Sequence, residues 1–163
     1  MAKLSAAMLL FKQGAEGFQV FLVHPGGPFW AKKDLGAWSL PKGEYDRHED
    51  PLSAALREFK EETSFSLGPA NVLPLGELKQ PSGKIITAWA LEKDVDPTLV
   101  KSNMFEMEWP PKSGTLQEFP EVDRASWFPL VRARQKLLKG QVGFLTRLVE
   151  LLGLPPGVFE ANS

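Results

Sequence analysis

Cysteine is absent from all 163 residues, and that absence removes disulfide bridges, thiolate metal ligands and a cysteine nucleophile together. Histidine is nearly as scarce: His24 and His48 are the two present, too few to build a zinc site by themselves. No stretch approaches the ~18 consecutive apolar residues that a membrane-spanning helix needs. Met1 to Phe11 has neither the apolar length nor the cleavage site of a secretory leader. Neither sign of charge prevails, the formal net charge being −1, so a general nucleic-acid-binding face is not expected. These absences leave a cytoplasmic protein with no membrane or nucleic-acid partner as the expectation.

What is present is ordinary in bulk and unusual in one place. Hydrophobic residues make up 43% and charged residues 24% of the chain, the balance of a globular protein. The length suits one domain over residues 1–163 and is short for two. No internal repeat or low-complexity segment interrupts it. Ser5 to Phe11 and Phe18 to His24 flank Lys12-Gln13-Gly14-Ala15-Glu16-Gly17 and read as a β-hairpin. Their unbroken apolar runs predict strands covered on both faces, as in the middle layer of an α/β/α sandwich with a mixed sheet. Asn71 to Lys79 and Ile85 to Leu91 read as a second hairpin, Phe105 to Trp109 as a half-exposed strand, and Ala125 to Phe128 as a short one. Two helical segments close the chain, Val131 to Leu138 and a stripe of Phe144, Leu145, Leu148, Leu151 and Leu152. They are expected to cover the sheet face opposite the helix described next.

Between Gly43 and Phe65 stand seven carboxylates, Glu44, Asp46, Glu49, Asp50, Glu58, Glu61 and Glu62. Asp50 is suited to an N-cap and Pro51 to the first helical position. Leu52, Ala55, Leu56 and Phe59 follow at the spacing of a buried helical stripe, and Glu58, Glu61 and Glu62 share one flank of it. Carboxylates at i, i+3 and i+4 repel by a few tenths of a kcal/mol per pair, and late in a helix they also oppose its dipole. A solvated charged face interspersed with Arg57 and Lys60 is one reading of them. A hard divalent cation is the other, because Mg²⁺ and Mn²⁺ favour oxygen ligands.

The residues upstream decide between the two. The pattern G-x5-E-x7-R-E-F-x-E-E-x-S-F, from Gly43 through Glu49 and Arg57 to Phe65, resembles the Nudix box at every defined position but one. The departure is Ser64, where that family carries glycine. The position reads as a helix terminus, where glycine takes the left-handed conformation freely, so serine is expected to weaken the terminus locally and leave the chemistry intact.

The resemblance implies an α/β/α sandwich that hydrolyses a nucleoside diphosphate linked to another group, using Mg²⁺ or Mn²⁺. It implies that Glu58, Glu61 and Glu62 hold the metal with the backbone carbonyl of Gly43, and that Glu49 and Arg57 brace loop against helix. Family members often recruit another carboxylate from a later loop, a few residues before a tryptophan. Here Glu121, six residues before Trp127, is the first choice and Glu118 the second. One of these glutamates would be the general base. The run Trp38-Ser39-Leu40-Pro41-Lys42-Gly43-Glu44 is similar to the entry of diadenosine polyphosphate hydrolases, which points to dinucleoside polyphosphates or nucleoside triphosphates. A non-catalytic nucleotide-binding module of the same fold is the alternative.

Other candidates lie outside the box. Gly36 to Lys42 predicts a short strand around Trp38 to Leu40, and Lys42 beside Gly43 is placed to neutralise phosphate charge, with a solvated turn lysine as its alternative. His24 to Asp34 holds two prolines and two glycines within four residues and is expected to be a loop. Phe29, Trp30, Lys32 and Lys33 on it could stack a base and steady a phosphate, or its aromatics could cover a satellite core. Gln117 to Asp123 reads as a second acidic loop. Phe105 and Trp109 are expected to be exposed aromatics that could form a dimer face or a base platform, and the chain is expected to be a monomer or homodimer.

Overall fold

A computed structural model describes residues 2–15 and 17–160. Five strands run in the order β4 (Leu73–Lys79), β5 (Ile85–Glu92), β1 (Leu4–Gly14), β2 (Gly17–Pro25) and β8 (Val122–Pro129), and β3 (Lys42–Glu44) joins the sheet on β1. β1 and β5 are parallel and the other pairings antiparallel, so the sheet is mixed. The first hairpin is tighter than the glycine spacing predicts, pairing extending to Gly14 and Gly17; Glu16, part of the expected turn, lies outside the described residues.

Alternation along the two central strands separates two cores, because successive strand side chains face opposite ways. Ala6, Met8, Leu10, Phe21 and Val23 pack with Ala54, Ala55 and Phe59 of helix α1 (Pro51–Thr63). Ala7, Leu9, Phe11, Val20 and Leu22 pack with Leu130, Ala133, Phe144, Leu145 and Leu148 of α2 (Leu130–Lys136) and α3 (Val142–Leu151). The result is the expected α/β/α sandwich, with the terminal helices opposite α1.

Two segments depart from the sequence expectation. Around Trp38 to Leu40 there is no strand, only single bridges from Ser39 to Val23 and from Trp38 to Leu137; the strand is Lys42–Glu44 instead. The reason is a fork in the sheet. β1 and β2 pair near the hairpin, from Phe11↔Val20 to Gly14↔Gly17, and Ser39 to Glu44 then fills the space between them. Ser39 bonds Val23 on one side, both N–H···O distances being 2.9 Å, while Lys42, Gly43 and Glu44 pair with Ala7, Ala6 and Ser5 on the other. From below, the Gln141 amide accepts from the Leu40 N–H at 3.0 Å and the Trp38 N–H donates to the Lys136 carbonyl at 2.9 Å. No ladder longer than a bridge forms at Trp38 and Ser39 because their backbone partners differ on each side.

The second departure is the expected acidic loop at Gln117 to Asp123. It contains strand β7 (Leu116–Pro120), paired with β6 (Met104–Glu108) in a separate two-stranded ribbon, and β8 begins at Val122. Exposed Glu118 lies opposite exposed Glu106 in that ribbon. Phe105 and Trp109 are half-buried rather than exposed. Phe105 stacks 6.0 Å from Phe119 and lies over Gly27, and Trp109 takes the edge of Phe29 at 5.7 Å. The ribbon is thereby folded onto the Gly26–Asp34 loop.

Helix α1 begins as expected, with Asp50 Oδ2 accepting from the Ser53 N–H at 3.0 Å and Pro51 in the first turn. It ends at Ser64, whose φ of 69° is left-handed and whose N–H donates to the Lys60 carbonyl at 2.7 Å. A side chain in that conformation costs about 1 kcal/mol relative to glycine. Ser64→Gly is therefore expected to raise the melting temperature by about 2–4 °C, read by thermal unfolding, with the affinity for divalent cations unchanged.

Candidate metal-binding and catalytic site

The face that α1 buries differs from the one its apolar spacing predicts, and the difference creates the site. Leu52 and Leu56 are half-buried, whereas Ala54, Ala55, Glu58, Phe59 and Thr63 are buried. The helix is rolled so that Glu58, only 9% exposed, lies against β3. Gly43 permits this: a Cβ there would stand 1.8 Å from Glu58 Oε2, inside any contact distance. One residue earlier, the Lys42 N–H donates to Glu62 Oε1 at 2.8 Å. Backbone of β3 and carboxylates of α1 are thus in direct contact at Gly43 and Lys42.

Arg57 gathers the remaining charge. Its Nε and Nη2 donate to the two oxygens of Glu49, each at 2.9 Å, a bidentate pair across the loop that precedes the helix. Its Nη1 donates to Glu58 Oε1 at 2.8 Å and lies 3.3 and 3.4 Å from the oxygens of Glu61. One guanidinium therefore serves three carboxylates. The Glu49 bond holds the carboxyl of Glu49 below its ordinary value and the guanidinium above its own.

The other carboxylates are held in the opposite sense. Burial, opposed by the Lys42 N–H and reinforced by Glu121 and Glu58, pushes Glu62 up to about 8. Glu62 as a residue is half-exposed at the surface, but its carboxyl points inward to the backbone of β3, and that local environment sets its titration. Burial, despite the Arg57 bond, also raises Glu58, with Glu61 adding repulsion. Burial followed by the charge of Glu61 raises Glu121. The cluster holds more negative charge than Arg57 neutralises.

Glu121 reaches this cluster through backbone that the sequence does not advertise. The Asn103 N–H donates to the Glu61 carbonyl at 3.0 Å and the Glu121 N–H donates to the Asn103 carbonyl at 2.9 Å. Lys101 N–H likewise caps the Thr63 carbonyl at 3.1 Å, so the segment satisfies the open carbonyls at the end of α1. Ser102 Oγ accepts from the Val122 N–H at 3.0 Å. On the other side the Gly26 N–H donates to the Glu121 carbonyl at 3.0 Å, and a Cβ on Gly26 would meet Pro120 O at 2.0 Å. Sequence reading passed over Asn103, Ser102 and Gly26. For Asn103 no side-chain signal existed to be read, since its backbone makes the contacts.

The other candidates divide. Phe29 is 61% exposed and edge-on to Trp109, and Lys32 is exposed. Trp30 packs against the core beneath α2 and α3 with Lys33 over its ring at 5.0 Å. Lys42 meets the site through its backbone. Its side chain stands beside that of Ala7, on the sheet face of the terminal helices, because directly opposed antiparallel residues project from one side. Burial and then Lys84 lower its ammonium from the ordinary value. Glu118 is in the ribbon, exposed and opposite Glu106.

Among the described residues no three His, Cys, Asp or Glu side chains close on one point as a ready ligand set. The donor chemistry nonetheless fits Mg²⁺ or Mn²⁺. The donors are oxygens throughout, a glycine lets one carboxylate reach the backbone of β3, and three carboxyls are raised, first by burial and then by one another's charge. Glu58, Glu61, Glu62 and Glu121 with the Gly43 carbonyl are the candidate ligands.

A NUDIX domain family model matches residues 1–148. An RNA pyrophosphohydrolase of Rhodospirillum rubrum is 39% identical over 77 residues, 45% of this chain and 42% of that protein. One of Erythrobacter litoralis is 46% identical over 41 residues, a quarter of each chain. The chain thus spans less than half the length of the curated relatives it matches. Among solved structures, the NUDIX domain of Shewanella oneidensis NrtR complexed with ADP ribose aligns with a TM-score of 0.63 at 18% identity, covering 93% of this chain and 89% of that one. A C. elegans Ap4A hydrolase binary complex gives 0.61 at 20% identity over 91% and 98%. These likenesses are of fold.

Two outcomes follow from the uncompensated charge. Folding takes up a proton at Glu62 between its ordinary value of 4.5 and about 8, so without divalent cation stability falls as pH rises across that window. Melting temperature in EDTA is expected to decline from pH 5 to pH 8, Mg²⁺ to restore it increasingly towards pH 8, and Glu62→Gln to flatten the decline. Gly43→Ala, which pushes Glu58 off the strand, is expected to weaken Mn²⁺ binding by about tenfold or more in calorimetric titration.

Proposed function

Because the chain belongs to the NUDIX domain family, matched over residues 1–148, we propose that it is a divalent-cation-dependent pyrophosphohydrolase. It cleaves a phosphoanhydride bond in a nucleoside diphosphate that carries a further group. The observation that carries this reading is the cluster of Glu58, Glu61, Glu62 and Glu121, in which three carboxyls are raised and the one guanidinium in contact is shared with Glu49. A module that only binds nucleotide has no use for so many mutually repelling carboxylates around the buried Glu58.

Glu58, Glu61, Glu62 and the Gly43 carbonyl would hold Mg²⁺ or Mn²⁺, which when bound would neutralise the diphosphate and lower the pKa of a water. The chain's own groups do the rest. Glu121 takes the proton of the attacking water: its carboxyl forms no hydrogen bond or ion pair among the described residues, burial and Glu61 raise it, and its backbone is fixed from both sides by Asn103 and Gly26. A base raised towards neutrality accepts a proton more readily in the transition state than an ordinary carboxylate. Arg57 keeps Glu58 and Glu61 oriented and Glu49 keeps Arg57 so. Phe29, exposed on the loop that begins beside Glu121, offers a face to the nucleobase, and Lys32 a cation to distal phosphate.

The preferred substrates are dinucleoside polyphosphates or nucleoside triphosphates, from the Trp38-to-Glu44 entry. The names of the Rhodospirillum and Erythrobacter relatives favour a second reading, the 5′ terminus of an RNA. A net charge of −1 speaks against an extended RNA track, so such a substrate would be held at its 5′ polyphosphate.

Turnover of diadenosine tetraphosphate, ATP, ADP-ribose and a short 5′-triphosphorylated RNA should be compared in Mg²⁺, with Glu61→Gln and Glu121→Gln beside the wild type. One class is expected to be cleaved preferentially. Glu121→Gln should lower kcat by about 10²–10⁴-fold and abolish the acid limb of the pH–rate profile. Binding of these compounds without turnover in Mg²⁺ or Mn²⁺ would convert the proposal to a nucleotide-binding module.

A further inference from the structure

His24 is the one histidine the sequence places at the end of a long apolar strand, and it has no part in the glutamate cluster. Its ring is wholly buried. Nε2 lies 2.7 Å from the Lys33 carbonyl, and since a carbonyl only accepts, Nε2 donates. Nδ1 shares a hydrogen with Asp123 Oδ1 at 2.8 Å. The edge of the ring meets Trp38 with centroids 5.1 Å apart, and Trp38 Nε1 donates to Asp34 Oδ1 at 2.8 Å.

Asp123 faces His24 because the β2–β8 register slips there. His24 pairs with Arg124 and Pro25 with Val122, leaving Asp123 as the extra residue of a bulge. Bulges re-aim side chains in this way. Two residues before Asp123 is Glu121, whose carbonyl receives the Gly26 N–H. The Gly26–Lys33 loop therefore begins on the Glu121 backbone and ends on the His24 ring, while His24 in turn is fastened to the strand that leaves Glu121.

We infer that His24 is a positioning residue that ties the Gly26–Lys33 loop to the Glu121 turn through Asp123 and the Lys33 carbonyl, setting where substrate is seated relative to the glutamates. The inference rests on the pyrophosphohydrolase reading for its kinetic consequence. Glu121 keeps its second attachment, to Asn103, when the tether is cut. Loss of the tether should therefore impair capture of substrate rather than proton transfer. A purely structural role would lower the active fraction and leave KM alone.

The test uses His24→Gln, Asp123→Ala and Asp123→Asn, assayed on the panel member that the wild type cleaves fastest. Asp123 is an exposed residue, so its variants decide the matter even if His24→Gln does not fold. Asp123→Ala should raise KM about tenfold or more with kcat within about threefold, and Asp123→Asn, whose amide can pair with Nδ1 through its oxygen or its NH₂ group, should restore KM. Unchanged KM in Asp123→Ala, or a fall confined to kcat, would overturn the inference. Trypsin cleavage after exposed Lys32 and Lys33, followed by mass spectrometry, reads the loop without any turnover. It should accelerate in Asp123→Ala and return to the wild-type rate in Asp123→Asn; equal rates in all three would sink the tether. If the wild type hydrolyses nothing, the functional proposal fails while the digestion still decides the tether.

Discussion

The contact between Gly43 and Glu58 is the constraint from which the rest of the site follows. It requires a strand with no side chain at that point, and it requires a helix rolled far enough to place a charged group where its apolar stripe would otherwise lie. The fork between β1 and β2 supplies the first, by holding Lys42 to Glu44 as a strand on β1. The core supplies the second, because Ala54 and Ala55 are small enough to let the helix lie close to the sheet while Phe59 fills the space between Met8, Leu10 and Phe21. Burial of side chains such as Phe59 is worth about 1.5–3 kcal/mol each, enough to offset the cost of one desolvated carboxylate beside them. Packing on one edge of the helix thus sustains electrostatic tension on the other.

That tension is arranged in steps. Arg57 is nearest to relief for Glu58 and Glu61, and its strongest pairing, the bidentate one, is to Glu49 in the loop. Glu49 shares the guanidinium with Glu58 and Glu61, which leaves these proposed metal ligands less than fully neutralised. Both members of this pair are partly exposed, so it acts less by stabilising the fold than by fixing the direction of the guanidinium. The same logic makes Glu49 a component of the site although it is in the loop before α1 and holds none of the proposed ligand positions.

The box and the layer order were legible in the sequence because each depends on local pattern. Asp50-Pro51 signals a helix start, unbroken apolar strands signal two covered faces, and Gly43 to Phe65 has its spacing written in one continuous segment. The roll of α1 was not legible, because Leu52 and Leu56 are more apolar than Ala54 yet less buried; the decision lies with Gly43, on another element. The strand assigned to Trp38 to Leu40 failed for a related reason. Its residues are as apolar and buried as a strand's, but their backbone partners are Val23, Lys136 and Gln141 on three separate elements. Strand β7 was hidden by its charges, since Glu118 and the facing Glu106 resemble a loop in composition while the ribbon keeps both in solvent.

The proposed general base marks a deeper limit of local pattern and also explains how the fold can vary its chemistry. Glu121 is fixed by the carbonyl of Asn103, whose own N–H is held by the Glu61 carbonyl, and by the N–H of Gly26, groups that almost every residue possesses. A side chain positioned wholly by backbone can be replaced or moved by one residue without disturbing its supports, whereas Glu58 cannot move without also moving Gly43. The proposed site is therefore built in two parts of unequal freedom: helix carboxylates locked by packing, proposed to face the metal, and a proposed base carried on a turn between two strands. Substrate differences among chains of this fold are expected to fall on the second part and on the Gly26–Lys33 loop tied to it. On the proposed mechanism, changes there would alter what is bound and how its water is deprotonated while leaving the helix carboxylates proposed to hold the cation untouched.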